Sequence, residues 1–473
     1  MVQCFFHGTG QTSDGVCVEI RMGNYRVLLD CGLRNPDLLL KLDAPDLFFC
    51  SHAHTDHSRS ILALHQQFPD LPCYASDVTI ALLQQYLPPN RLKPFPWDTP
   101  IELLPNLKVQ FFQAGHLPGA AIIGLTYSAP ESPESRPERL LYCGDVCLAN
   151  VRLAEGLNLA ELREFSPDVL IIEGTYGVDR HPPRRQLENQ LMELLDRTLE
   201  SGRSVLMPVP KLGLAQEVLM LLRSHHLFSG RKLVVEIDNA IAEVCNHYET
   251  LVPSFPLAIQ NFARYQSLFL DSIVRPYIYR SIPEPSPFAN PSATLAEPRI
   301  VLTSTIDRLD KICETGDWTT FLPHYRDGDL NTLDADKAEI YLLPDHCDGS
   351  TLPQIIHTLR PQHLVLTHAP LKQLTALAAL DELTSRYKIH IPTSGHLLDL
   401  PIADAFYQPA PPETRYDGEL VQTQAEVLLS LPIEIQDDPR WKAFADTGLI
   451  DAQWQNGTLI IRGISQREWL NRD

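Results

Sequence analysis

The sequence predicts a layered α/β fold. Short apolar runs alternate with longer stretches of helical spacing, and most of the runs end in a loop containing polar or Gly residues. Neither feature belongs to a purely helical or purely β chain, and no internal repeat of fixed period is present.

In order, the first strand candidates are Arg26–Asp30, Leu47–Cys50, Leu107–Phe112, Arg139–Tyr142 and Val169–Ile172. From Arg184 to Glu200 the apolar positions Leu187, Leu191, Leu194, Leu195 and Leu199 follow helical spacing, with Gly202 placed as a C-terminal cap. A buried strand, Ser204–Met207, and a helix near Leu214–Leu222 come next. Further strands are expected at Leu233–Ile237, Arg299–Leu302, Ile340–Leu343 and His363–Leu366. Pro283–Pro298, with five prolines, reads as an exposed connector, and Pro409–Pro412 marks a second break. Beyond it, Trp454–Ile461 has the pattern of a hairpin around an Asn456-Gly457 turn.

A length of 473 residues suggests two to four domains at roughly 100–200 residues each. Hydrophobic content of 44% and charged content of 21% exclude overall disorder. The ten Cys residues are scattered, without the spacing of a disulfide scaffold, so a reducing, cytoplasmic setting is expected. No window approaches the roughly 18 apolar residues a membrane span needs, so no membrane partner is expected. A net charge of -20 argues against broad, nonspecific nucleic-acid binding. One segment differs: between Arg180 and Lys232 nine basic residues face five acidic ones.

The chemistry concentrates in Ser51-His52-Ala53-His54-Thr55-Asp56-His57, directly after the Leu47–Cys50 strand. An isolated His is more often a packed or surface residue than a ligand. Three His and one Asp within six residues reverse that expectation, because imidazole nitrogen and carboxylate oxygen both suit borderline divalent ions such as zinc. Further ligands should stand at the ends of other strands. His116 in Ala114-Gly115-His116, Asp145 in Cys143-Gly144-Asp145 and His368 in Thr367-His368-Ala369 are the candidates.

These motifs resemble the metallo-β-lactamase superfamily. Glu173 in Glu173-Gly174-Thr175-Tyr176-Gly177, His346 in Asp345-His346-Cys347-Asp348, His368, and Val205–Pro208 with Gly213–Glu217 are similar to the motifs of its β-CASP nucleases, in the branch of the cleavage and polyadenylation specificity factor nuclease. The resemblance implies an αββα sandwich with an inserted α/β cap. Residues 1–178 and 334–405 would form the sandwich, 179–333 the cap and 406–473 a small appendage.

It also implies two divalent ions, zinc first among them. His52, His54 and His116 would hold one, Asp56, His57 and His368 the other, with Asp145 bridging and Asp30 orienting a ligand His. Asp56, Glu173 and His346 carry the implied catalytic roles: His346 donates a proton to the leaving oxygen, and Glu173 orients it. The implied reaction is hydrolysis of an RNA phosphodiester by a bridging hydroxide, as endonuclease, exonuclease or both, with single-stranded RNA as partner. Arg180, Arg184, Arg185 and Lys211 are candidate RNA contacts, and a homodimer is left open. A His at position 368 favours RNA over DNA within the family. The alternative is a hydrolase of a small ester or thioester, which needs the same metal pair but not the insertion.

Overall fold

In the computed structural model, residues 2–84, 86–130, 136–281, 297–306, 309–314, 316–325 and 332–403 are described, together with the strands Glu419–Gln422, Val427–Ser430, Ile450–Gln455 and Thr458–Gly463. The body consists of two seven-stranded sheets. In the first, the antiparallel strands Val2–Thr9, Val16–Met22 and Tyr25–Leu29 are followed by the parallel strand Leu47–Phe49. The short strands Cys73–Ala75 and Lys93–Pro94 continue that edge, and His396–Leu400 closes the other. In the second, Ile101–Leu104, Leu107–Gln113, Ala121–Tyr127 and Glu138–Tyr142 run antiparallel, and Val169–Glu173, His363–Thr367 and Lys388–His390 add in parallel.

Side-chain alternation explains why the two sheets stack. Cys4, Phe6, Val18, Ile20, Val27, Leu29 and Phe49 of the first sheet share one buried cluster with Val109, Phe111, Ile123, Leu125, Tyr142 and Ile171 of the second. The intervening residues Leu28, Phe48, Leu170 and Ile172 point the other way, into a second cluster with helix residues such as Ile61, Leu64, Ile355, Ile356 and Leu374. Both faces of these strands are therefore apolar. The layers run helix, sheet, sheet, helix, the αββα sandwich the resemblance implies.

The third sheet is inserted between Glu173 and His346. Its six strands run in the order Tyr277–Arg280, Val234–Ile237, Ile300–Thr303, Ser204–Pro208, Trp318–Pro323 and Glu339–Tyr341, all parallel. Helices Arg184–Glu200, Leu214–Ser224 and Asn239–Thr250 belong to this inserted unit. Glu339–Tyr341 was expected to lie in the returning part of the sandwich. It pairs instead in parallel with Trp318–Pro323, as the sixth strand of the third sheet, with Phe321 opposite Glu339 and Pro323 opposite Tyr341. The insertion leaves and re-enters through one point, where the Gly349 N–H donates to the Asp179 carbonyl at 2.7 Å.

The connector Pro283–Pro298 lies almost wholly, and the break Pro409–Pro412 wholly, outside the described residues. Ile450–Gln455 pairs antiparallel with Thr458–Gly463, Gln455 opposite Thr458, as a hairpin at Trp454–Ile461 requires. Among the described residues no helix is long and apolar enough to cross a membrane.

Candidate metal centre

Loops at the strand ends of both sheets converge. The loop after Leu47–Phe49 carries His52 and His54, and a short helix, Thr55–Ser58, carries Asp56 and His57. The second sheet contributes His116, Asp145, Glu173 and His368 just beyond or at the ends of its strands. Among the described residues four groups of side chains could hold a metal ion, and two of them take up all the predicted ligands: His52, His54, His116 and Asp145, and Asp56, His57 and His368; the other two, His116, Asp345 and His346, and Asp145, Glu173 and His346, adjoin them. The seven residues predicted as ligands are thus brought together.

Asp145 lies between the groups with its two oxygens turned apart. Oδ2 is 3.4 Å from His52 Nε2 and 3.6 Å from His116 Nε2, whereas Oδ1 is 3.4 Å from His57 Nε2 and 3.5 Å from His368 Nδ1. On the far side of the second group, Asp56 Oδ2 is 3.0 Å from His368 Nε2.

The hydrogen bonds behind the imidazoles assign their tautomers. His116 Nδ1 donates to the Asp345 carbonyl at 2.8 Å, which leaves a lone pair on Nε2. His57 Nδ1 donates to Asp30 Oδ2 at 2.7 Å, which leaves Nε2 as the nitrogen that can take a metal once it has given up its proton. His52 follows through a relay: the Ser51 hydroxyl donates to Asp30 Oδ2 at 2.7 Å and so accepts from His52 Nδ1 at 3.0 Å. Lone pairs on His52 Nε2 and His116 Nε2 then converge on His54 Nδ1, at 3.2 and 3.0 Å. Buried His57 Nε2 and Asp145 Oδ1 have no hydrogen-bond partner. Converging lone pairs and orphaned buried acceptors are what a divalent cation satisfies, so the donor set fits such an ion.

Protonation differs between the two groups. Burial, then neighbouring imidazoles, lowers His52, His54 and His116 to about 4. Burial also pulls on His57 and His368, but carboxylates outweigh it. Asp145, Asp30 and Asp56 hold His57 well above its ordinary value, and Asp145 and Asp56 raise His368 to about 9.

Asp30 is fully buried in a left-handed backbone, φ 57°, and also accepts from the Ser51 N–H at 2.7 Å and the Tyr142 hydroxyl at 2.6 Å. The loop next to it packs on the ligand helix with no space for a side chain: a Cβ on Gly32 would strike the Asp56 carbonyl.

Glu173 and His346 lie beside the centre. His346 Nδ1 donates to Glu173 Oε1 at 2.7 Å, and the Val146 and Thr175 amides donate to the same carboxylate at 3.0 and 3.2 Å. Burial alone would raise the Glu173 carboxyl, yet the His346 imidazole lowers it below its usual value. The His346 ring stands 4.5 Å from that of His116.

Sequence reasoning missed Ser51, Tyr142 and Tyr176. Ser51 and Tyr142 hold Asp30, and the Tyr176 hydroxyl donates to Asp345 Oδ1 at 2.9 Å. Their only signal was adjacency to chemically obvious neighbours.

The basic residues separate. Arg180 and Arg185 are exposed. Lys211 borders a cleft of about 420 Å³ beside His54, shared by Arg59, Tyr86 and His247, and its ammonium donates to the Tyr86 hydroxyl at 2.6 Å. Arg184 does not fit a role as an RNA contact: its guanidinium is only 8% exposed, bonded to Glu188 at 3.2 Å, to Glu217 at 2.6 Å and to the Pro344 carbonyl. At the start of helix Leu214–Ser224, Gly213 adopts φ +90°, and a Cβ there would lie 3.4 Å from His54 Nε2 and 3.2 Å from Leu117.

Comparison with known proteins agrees with this geometry. Residues 25–207 match the Beta-lactamase superfamily domain. "Uncharacterized protein sll0514" of Synechocystis is 41% identical over 99% of this chain and 88% of its own length. "Probable RNase MJ4" of Methanocaldococcus jannaschii is 28% identical over 48% of this chain and 58% of its own. "Cleavage and polyadenylation specificity factor 73" of Drosophila melanogaster is 24% identical over 83% and 64%. The chain therefore spans less than two thirds of each of these last two relatives. With the two-sheet body, the inserted third sheet and this convergence of His and Asp residues, the chain belongs to the metallo-β-lactamase superfamily of hydrolases, in its β-CASP family.

Proposed function

We propose that the protein hydrolyses RNA phosphodiester bonds with two divalent ions, zinc the first choice, held by His52, His54 and His116 on one side and Asp56, His57 and His368 on the other, with Asp145 shared. The observation that carries this reading is the division of Asp145, one oxygen toward each group. When bound, such a pair of ions supplies Lewis acidity for the phosphate and acidifies a water. The chain's own residues do the rest. Glu173 fixes His346 Nδ1, which leaves Nε2, 3.7 Å from Asp345 Oδ1, to give its proton to the leaving oxygen as water attacks phosphorus and the phosphorus–oxygen bond breaks. Glu173 stays ionised and holds the imidazolium in place. The third sheet and its helices form the cap, and the cleft beside His54 and Lys211 accommodates a single strand in preference to a duplex. A cytoplasmic location suits that substrate.

The test combines metal quantification with product-end analysis on a 5′-labelled single-stranded RNA. Cleavage that depends on the loaded metal, lost in the double variant His52→Ala, His54→Ala, is expected. RNA left intact by the loaded protein, or cut equally by the double variant, overturns the reading. The positions of the product ends decide between internal and terminal cleavage.

A further inference from the structure

A run of aromatic rings leads from His346 to solvent. Tyr176 is buried, its ring 5.4 Å from that of His346. Tyr325 lies over Tyr176, with ring centroids 4.2 Å apart and planes inclined by 31°. His181 flanks Tyr176 at 4.7 Å, and His324 flanks Tyr325 at 4.7 Å. Tyr176 at the inner end packs as core. Tyr325 at the outer end is only half-buried and His324 is exposed, so core packing does not account for them.

The outer tyrosine is held from behind: its hydroxyl donates to Asp179 Oδ2 at 2.8 Å and lies 3.4 Å from His181 Nε2. A ring fixed in advance loses little freedom when something stacks on it. The charge around the rings narrows what that partner is. Asp179 and Asp345 border them, so a phosphate is repelled here, whereas the flat uncharged face of a nucleobase is not.

Resting on the proposed RNA hydrolysis, we infer that Tyr325, backed by Tyr176 and with His324 edge-on beside it at 73°, forms a stacking shelf for the base of the nucleoside that departs with the leaving oxygen. The proposed role of His346 defines which nucleoside that is: the leaving oxygen takes the His346 proton, and the Tyr176 ring, 5.4 Å from that of His346, with Tyr325 4.2 Å beyond it, stands on the departing side. The shelf sets affinity and register on one side of the scissile bond and tolerates any base, since every base has a stacking face.

A short oligoadenylate carrying one abasic ribose at successive positions tests this in the metal-loaded full chain. Wild-type protein is expected to lose about tenfold in kcat/KM when the abasic ribose is the departing one, the usual scale of one base–aromatic contact. Tyr325→Leu should cut natural and abasic oligomers at equal rates. Tyr325→Phe, which keeps the ring and loses the hydroxyl's bonds to Asp179 and His181, should discriminate as wild type does. As a readout independent of turnover, 2-aminopurine at that position should be quenched on binding wild type and not on binding Tyr325→Leu. Equal cutting of both oligomers by wild type overturns the shelf alone, and that result needs no variant to fold. A natural oligomer left uncut overturns the hydrolase reading and the shelf with it.

Discussion

Asp30 Oδ2 holds His57 Nδ1 directly at 2.7 Å, while it reaches His52 only through the Ser51 hydroxyl. One buried carboxylate thus sets the tautomer of an imidazole in each of the two groups. Asp30→Asn is expected to reduce metal affinity about 10–100-fold, the usual cost of losing a residue that orients a ligand. Chelator competition would measure it, and Ser51→Ala should weaken only the group containing His52.

The two groups should also differ in proton cost. His52, His54 and His116, at about 4, are neutral at pH 7 and bind metal without giving up a proton. His368, raised to about 9, must lose its proton first. Metal binding to the group of Asp56, His57 and His368 should therefore release protons at pH 7 and tighten as pH rises toward 9. Calorimetry in buffers of different ionisation enthalpy reads this directly, and equal proton release at both groups would contradict it.

Glu173→Gln keeps an acceptor for the Val146 amide but removes the charge facing His346. The expected result is a lower kcat with metal content and KM unchanged. His346→Ala should cost more, about 10²–10⁴ in kcat, the usual contribution of a general acid.

Arg184 should behave as a strut. Glu188 and Glu217 both bond to it, and each is nearly buried. Arg184→Ala is expected to destabilise the protein by about 3 kcal/mol, because nearly buried Glu217 loses its counter-charge while Glu188 keeps Arg152 at 2.6 Å. Denaturant unfolding would show this, while RNA affinity of the folded fraction should change little.

Much of this was readable in the residues themselves. The strands Leu47–Phe49, Val169–Glu173 and His363–Thr367 announce themselves because both faces are buried and each contains an unbroken apolar run, Leu47–Phe49, Val169–Ile172 and Leu364–Leu366. Helix Arg184–Glu200 matches its expected span because a seventeen-residue amphipathic pattern averages over local ambiguity. Val2–Thr9 escaped notice: its buried and half-buried positions alternate, but Phe5 and His7 blur the contrast that would mark the faces. At the site, side chains with unmistakable chemistry could be found, and those acting through a hydroxyl could not. Nothing local distinguishes Tyr142, whose value lies in reaching Asp30 from 112 positions away. Arg184 looked like its basic neighbours because its partner Glu217 stands 33 positions further on, out of view of any local window.

The bond between the Gly349 N–H and the Asp179 carbonyl draws both stems of the insertion together. A unit joined through a single neck adds no offset to the frame from which it departs. Glu173 and His346, on opposite banks of the neck, therefore keep their 2.7 Å bond whatever path the chain takes through the third sheet. The pinch makes the acid and its support a property of the frame, with the excursion between them left to receive the substrate.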